Sequence, residues 1–367
     1  MNHRVLASTL AAAVLLAAPL FAQAPAASTK TAPAAAVKTP AAAATAIPRT
    51  ADGHPDFSGV FSNASAVPVA RPANCGTKEV YTPEDLAAGM GGARGCGAAA
   101  AGGGRGGAGR GGAGRGAAGR GAANIDPETG QPALQVHYDV SQFGLDATHA
   151  TRAASLRTSI ITGPEGKLPP LTPEAQKRQA DLRAYNAQHQ WDGPESRPLG
   201  ERCIMWPAEG PPMMPEGYNS DLQISQGPGY VAVTQEMIHD TRIIPTDGRP
   251  HLPANVQQWF GDPRGHWEGD TLVVETTNFT NRTTLQQAPT TDKMKVTERF
   301  TRVDANTVKY QFTVDDPGTW TKPWSGELNM TKIDSPLYEY ACHEGNYGMA
   351  NNLSGQRAVE KKAAEQK

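Results

Sequence analysis

Apolar and polar residues alternate along Val308, Lys309, Tyr310, Gln311, Phe312, Thr313 and Val314, a period of two that marks a strand with one buried face. The surrounding stretch, "KMKVTERFTRVDANTVKYQFTVDDPGTW", predicts a hairpin turning at Asp304-Ala305-Asn306. "RGHWEGDTLVVETTNF" predicts another, turning at Glu268-Gly269-Asp270. "LQISQGPGYVAVTQEM" predicts two strands about Gly227-Pro228-Gly229, and "IHDTRIIPTDGRPH" continues to a turn at Asp247-Gly248. "WSGELNMTKID" and "PLYEYACHE" predict a further pair, Thr158 to Thr162 a β-rich run, and Phe57 to Ser62 a short strand after the Asp52-Gly53 turn. That makes about eight to ten strands, with connections too short for parallel crossovers.

One segment reads as helix. Thr172-Pro173-Glu174 supplies an N-cap, a proline at the first helical position and an acid in the first turn. The helix is expected to run to about Gln188 and, being polar on most sides, to lie on the surface. "GERCIMWPAEGPPMMPEGYNS" is too proline-rich for regular structure. Its Met205, Trp206, Met213 and Met214 predict that it lies across a sheet or closes the end of a barrel.

An antiparallel meander of this size must bury one face and hide its edges. The fold class expected is therefore mainly β, an antiparallel lipocalin-like barrel with one surface helix, and a two-sheet sandwich is the alternative. The chain divides into a signal peptide over 1–24, a disordered Ala/Pro tether over 25–48, a first strand and irregular segment over 49–96, and a Gly/Arg low-complexity insertion over 97–123. A β-rich domain over 124–360, completed by 53–63, and a disordered tail over 361–367 follow.

Several segments resemble one family. "GHWEGDTLVVETTNF", "VTERFTRVDANTVKYQFTVDDPGTWTKPW" and "PLYEYACHEGNY" are similar to a widespread family of exported, mostly uncharacterised bacterial proteins, and "RTADGHPDFSGVF" and "GKLPPLTPEAQKR" fit its N-terminal half. The resemblance covers roughly 49–63 and 155–360, with the Gly/Arg tract as an insertion. It implies export and brings no catalytic residues. Gly59-Val60-Phe61 also resembles the Gly-x-Trp strand that opens lipocalin-like barrels, with Phe in place of Trp. That likeness implies an eight-stranded barrel able to hold one small ligand.

The opening "MNHRVLASTLAAAVLLAAPLFAQA" has a short basic head, an apolar run too short to span a bilayer, and small residues suited to cleavage after Ala24 or Ala22. An exported protein without a membrane span is expected, periplasmic or extracellular. Four cysteines in an oxidising compartment should pair. Likeness of surroundings favours Cys75 with Cys96 and Cys203 with Cys342 among the open pairings. A net charge of −2 gives no overall drive toward nucleic acid or acidic lipid. Arg105, Arg110, Arg115 and Arg120 recur in the glycine tract like RNA-binding repeats, but in an exported chain they read as a solvated insertion with no specific nucleic-acid partner.

The chemistry-bearing residues are few. In Cys342-His343-Glu344 neighbouring strand residues point apart, so a thiol–imidazole pair is not expected. His239, Asp240, His251, His266, His343 and Glu344 carry no metal-site spacing, and no metal or cofactor is expected. Glu236, Glu268, Glu275 and Glu298, near Arg242, Arg299 and Arg302, read as cross-strand ion pairs; a pair of glycosidase carboxylates is the alternative. Trp267, Tyr310, Tyr338 and Tyr340 are the candidates to line a ligand pocket. The function expected is binding of a small, partly apolar molecule in the barrel or at its mouth. One alternative is a hydrolase or lyase using His239, Arg242, His343 and Glu344 in that cavity. A structural protein of the cell envelope, reading the tether and Gly/Arg tract as anchors, is the other.

Overall fold

Two strands, β9 (Lys295–Arg302) and β10 (Thr307–Asp315), carry the alternation most plainly, since every second side chain in each is buried. The computed structural model describes residues 47–65, 67–87, 96, 155–215 and 219–366. The expected signal peptide and the Gly/Arg tract lie outside them.

Before this hairpin come β1 (Gly59–Ser62), β2 (Asp221–Gly227), β3 (Tyr230–Gln235), β4 (Thr241–Pro245), β5 (Asp262–Glu268), β6 (Thr271–Thr277) and the two-residue strands β7 (Thr284–Leu285) and β8 (Ala288–Pro289). After it comes β11 (Trp324–Ile333). Among the described residues nine strands form one antiparallel sheet in the order β4-β3-β2-β1-β11-β10-β9-β6-β5, and β7 pairs β8 separately. The turns expected at Gly227–Gly229, Gly269 and Asp304–Asn306 all join paired neighbours. The short N-terminal strand β1 sits in the middle, between β2 and β11.

The sheet is curled. Its two ends, β4 and β5, are not hydrogen-bonded to each other, so it does not close as a barrel by backbone pairing. They meet through side chains. A Cβ on Gly265 would stand 2.9 Å from Thr246 Cγ2 and 3.0 Å from Ile244 Cγ2, so β5 packs closely on β4 at this point. Farther in, Arg242 of β4 makes a two-pronged bond to Glu298 of β9, with both distances 2.9 Å and both residues buried.

Inside the curl the side chains are packed. Ring centroids run at 5.1 Å from Phe300 to Tyr310, 5.7 Å from Tyr310 to Phe312 and 5.6 Å from Phe312 to Trp324. Gly326, opposite Phe312 on β11, leaves room for that ring to lie over its backbone. Met213 and Met214 of the proline-rich segment join the same core. As expected, that segment covers one end of the sheet.

Among the described residues three α-helices lie outside the sheet, where one surface helix is expected: α1 (Pro83–Ala87), α2 (Pro173–His189) and α3 (Gly348–Glu365). Thr172 caps α2 by accepting the Ala175 N–H at 3.1 Å, as its sequence predicts.

Three expectations need correction. The sequence predicts a disordered tail over 361–367, yet α3 runs through Glu365. Its Ala, Lys, Glu and Arg residues are strong helix formers without an apolar stripe, so periodicity does not reveal them. "PLYEYACHE" forms no strand, because β11 already has β1 and β10 as partners and offers no free edge. Residues 158–162 contribute an isolated bridge between Ile161 and Gly326 in place of a strand.

Both cysteine pairings are as expected, Cys75–Cys96 and Cys203–Cys342.

Candidate functional site

The strand registers define two ends of the sheet. At one, β1, β3, β6 and β10 finish and β2, β4, β5, β9 and β11 begin. The other is covered by residues 49–57, with His54 stacked on Trp267 at 4.2 Å and Arg49 paired to Asp270 at 2.6 Å. The first end gathers the longer irregular segments, and the groove described below lies there.

The candidate side chains do not form one site. Arg242 and Tyr310 are buried in the core, where Tyr310 Oη donates to Glu298 at 2.8 Å and accepts the Met213 N–H at 2.9 Å. Burial opposes the Arg242 charge, but Glu298 outweighs it and the guanidinium is held above its ordinary value. Burial and the Glu298 charge also hold the Tyr310 phenol far above its usual range, which keeps it a hydrogen-bond donor. These two therefore tie the core together and are closed to a ligand. Trp267 is half-buried beneath His54, and Tyr338 is exposed. His343 and Glu344 are exposed.

His239 and Tyr340 do meet. The His239 Nδ1–H donates to the Tyr340 carbonyl at 2.7 Å, which fixes the ring's tautomer. Behind this contact the buried Met237 and Ile238 pack on Cys342 of the disulfide. Ile238 and His239 both take left-handed backbone angles, φ 59° and 56°. For a β-branched residue that is strained and needs support from its surroundings. Of the acids expected in cross-strand ion pairs, Glu298 pairs with Arg242, Glu268 with Arg299 at 2.9 Å and Glu275 with Lys295 at 2.7 Å, whereas Glu236 instead accepts a hydrogen bond from Asn219.

Two carboxyls near this turn are perturbed. Burial raises Asp240 above its ordinary value, against the pull of His239. Burial likewise raises Glu236; the Asn219 hydrogen bond works against the rise and the Asp221 charge adds to it. A raised carboxyl stabilises the fold fully below its unfolded value, here 4.5, and that contribution is lost as pH rises through the folded value. Replacing Glu236 by Gln keeps an acceptor for Asn219 and removes the ionisation. Glu236→Gln is therefore expected to gain stability over the parent as pH rises above 4.5 toward neutrality. Urea unfolding at several pH values tests this, and a pH-independent difference would contradict it.

The groove at this end holds about 350 Å³ and is lined by Thr172, Glu174, Arg178, Thr291, Asp292, Lys293, Pro317 and Gly318. Three segments build it: the start of α2, the β8–β9 connection and the β10–β11 connection. Asp316, 2% exposed, locks the second to the third. It accepts from Thr291 N at 2.9 Å, Thr291 Oγ1 at 2.6 Å and Thr319 Oγ1 at 2.7 Å. Arg178 donates to the Gly318 carbonyl at 2.8 Å, while its Nε is buried without an acceptor among the described residues. Glu174, Asp292 and Lys293 stand exposed on the rim. These residues escape a reading of the sequence, where Thr172-Pro173-Glu174 signals only a helix start and Asp316-Pro317-Gly318 only a turn.

No family model, curated protein or solved structure matches this chain. Among the described residues no helix is long and apolar enough to cross a membrane.

Proposed function

We propose that this chain is an exported binding protein for a small molecule, taken at the loop-covered end of a lipocalin-like barrel. Two disulfides are compatible with an oxidising compartment, and the N-terminal pattern and the family resemblance support export. The contact of Gly265 with Ile244, which brings the end strands β4 and β5 together, and the Arg242–Glu298 pair, which reaches across the curl from β4 to β9, support the barrel reading.

The observation that carries the reading is the groove of about 350 Å³, which falls within the range of small-molecule sites. Its walls are held by the buried Asp316, so a ligand would meet a surface already in place. The packed core directs the ligand to this mouth and away from the interior. The lining also favours a more polar ligand than the aromatic content of the chain implies, one able to engage Lys293, Asp292 and Glu174.

Thermal-shift screening against sugars, amino acids, phenolics and lipids, followed by titration calorimetry, should find a stabiliser. Lys293→Ala and Asp292→Ala are expected to weaken its binding about tenfold each, in line with the loss of one charge-assisted hydrogen bond. These side chains are exposed, so folding should be unaffected. A ligand whose affinity ignores both substitutions would place the site elsewhere.

A further inference from the structure

If the 350 Å³ groove is the binding site proposed above, its lining also selects the class of small molecule it takes. Two acids, Glu174 and Asp292, and two bases, Arg178 and Lys293, line it, and no aromatic or long aliphatic side chain stands among the described lining residues. A lipid or a phenol would find little apolar surface beyond Pro317. A sugar would find no ring to stack against.

The four charges are kept from neutralising one another. Glu174 and Arg178 stand four residues apart on α2 with the acid first, the order that favours an ion pair along a helix. Lys177 and Asp181, at the same spacing on the same helix, do pair, at 2.6 Å. Arg178 turns elsewhere, and its Nη2 donates to the Gly318 carbonyl at 2.8 Å. A Cβ on Gly318 would stand 2.7 Å from Thr291 Cγ2, so the turn that holds Arg178 is itself packed in place. Arg178 Nη1 has no acceptor among the described residues and, unlike Nε, is not sealed from solvent. The guanidinium is thus anchored by one nitrogen and offers another to the groove. Glu174, Asp292 and Lys293 are exposed, and none forms an ion pair among the described residues.

Unpaired charges of both signs in one groove complement a ligand that itself carries both signs. A simple anion such as phosphate would meet Arg178 and Lys293 but also two carboxylates, and a simple amine would meet the reverse. We propose that the groove binds a small zwitterion of the amino acid class, with its carboxylate on Arg178 and Lys293 and its ammonium on Glu174 and Asp292. The planar N–H donors of Arg178 suit a carboxylate. The lining gives an apolar side chain of the ligand no pocket, so amino acids with small or polar side chains are favoured.

Titration calorimetry on the mature protein tests this with L-serine, L-asparagine and L-glutamine. Each is compared with its N-acetyl form, which lacks the ammonium, and its carboxamide form, which lacks the carboxylate. Phosphate and glucose serve as the simple anion and the neutral polar compound. At least one of the amino acids should bind, and both of its single-charge forms should bind about tenfold or more weakly.

Arg178→Lys keeps the charge and loses the planar fork. It should weaken the amino acid and its N-acetyl form by about tenfold and leave the carboxamide form unchanged. Glu174→Gln should weaken the amino acid and the carboxamide form and leave the N-acetyl form unchanged. A merely structural disturbance would move all three together. If Arg178→Lys fails to fold, Lys293→Ala, at an exposed position, should give the same pattern. No heat from any of the amino acids, or a single-charge form that binds as tightly as its parent, would overturn the zwitterion assignment. If glucose or phosphate binds instead and Lys293→Ala weakens it, the groove stands as the site and only the ligand class falls. Amino acid binding that ignores all of these variants would put the site elsewhere and overturn both readings.

Discussion

Glu298→Leu alone is expected to lower the unfolding free energy by about 3–5 kcal/mol, the usual consequence of leaving one member of a buried ion pair unpaired. Glu298 is 0% and Arg242 4% exposed, and the carboxylate satisfies both Arg242 and the Tyr310 hydroxyl. Without it the guanidinium would keep its charge in the core with nothing to balance it. Arg242→Met should be milder, because a lone carboxyl can go neutral by taking up a proton and a guanidinium cannot. The double substitution, Arg242→Met with Glu298→Leu, should recover most of the loss, since well-packed apolar replacements of buried pairs are often neutral. Urea denaturation of the three variants tests the order. If the double variant were as unstable as Glu298→Leu, the pair would have to hold β4 against β9 through its hydrogen bonds, beyond balancing its own charges. That outcome would show that closure of the curled sheet depends on this contact, given that β4 and β5 share no backbone bonds.

The same pair shows what the sequence could and could not reveal. Alternation exposes which side chains of β9 and β10 face inward, so Glu298 and Tyr310 are legible as interior positions. An acid partner for Arg242 is also legible as a type. Its identity is not, because 56 residues separate Arg242 from Glu298 and only the curl of the sheet brings them together. Tyr310 is a pocket candidate on aromatic content alone, which does not separate lining from filling. "PLYEYACHE" has the composition of a strand, but composition carries no record of which edges are already taken. The groove is the extreme case. Glu174 and Arg178 stand in the chain at the spacing of a helix ion pair, and Arg178 is drawn away by a carbonyl 140 residues on.

Breaking Cys203–Cys342 should have the other large effect. The bridge closes a loop of sequence separation 139, against 21 for Cys75–Cys96. Loop-closure entropy alone gives about 5 kcal/mol for the first and about 3 kcal/mol for the second, as upper values. The folded state argues that the first will be partly local. Beyond Ile333 the chain leaves the sheet, and its buried anchor is Cys342 against Met237 and Ile238. The His239 to Tyr340 bond is on the exposed side and supplies little alone. Cys203→Ser with Cys342→Ser is therefore expected to free the segment from 334 to 347 while β9, β10 and β11 stay paired. It should also relax the left-handed turn at Ile238 and His239, whose strain the packed disulfide supports. Limited proteolysis with mass spectrometry should find new cleavage within 334–347 in this variant and none in Cys75→Ser with Cys96→Ser. Urea unfolding should show the larger loss for the 203–342 variant. Equal protease resistance in both variants would mean that the C-terminal segment is held by its own packing, and that the disulfide acts only on the unfolded chain.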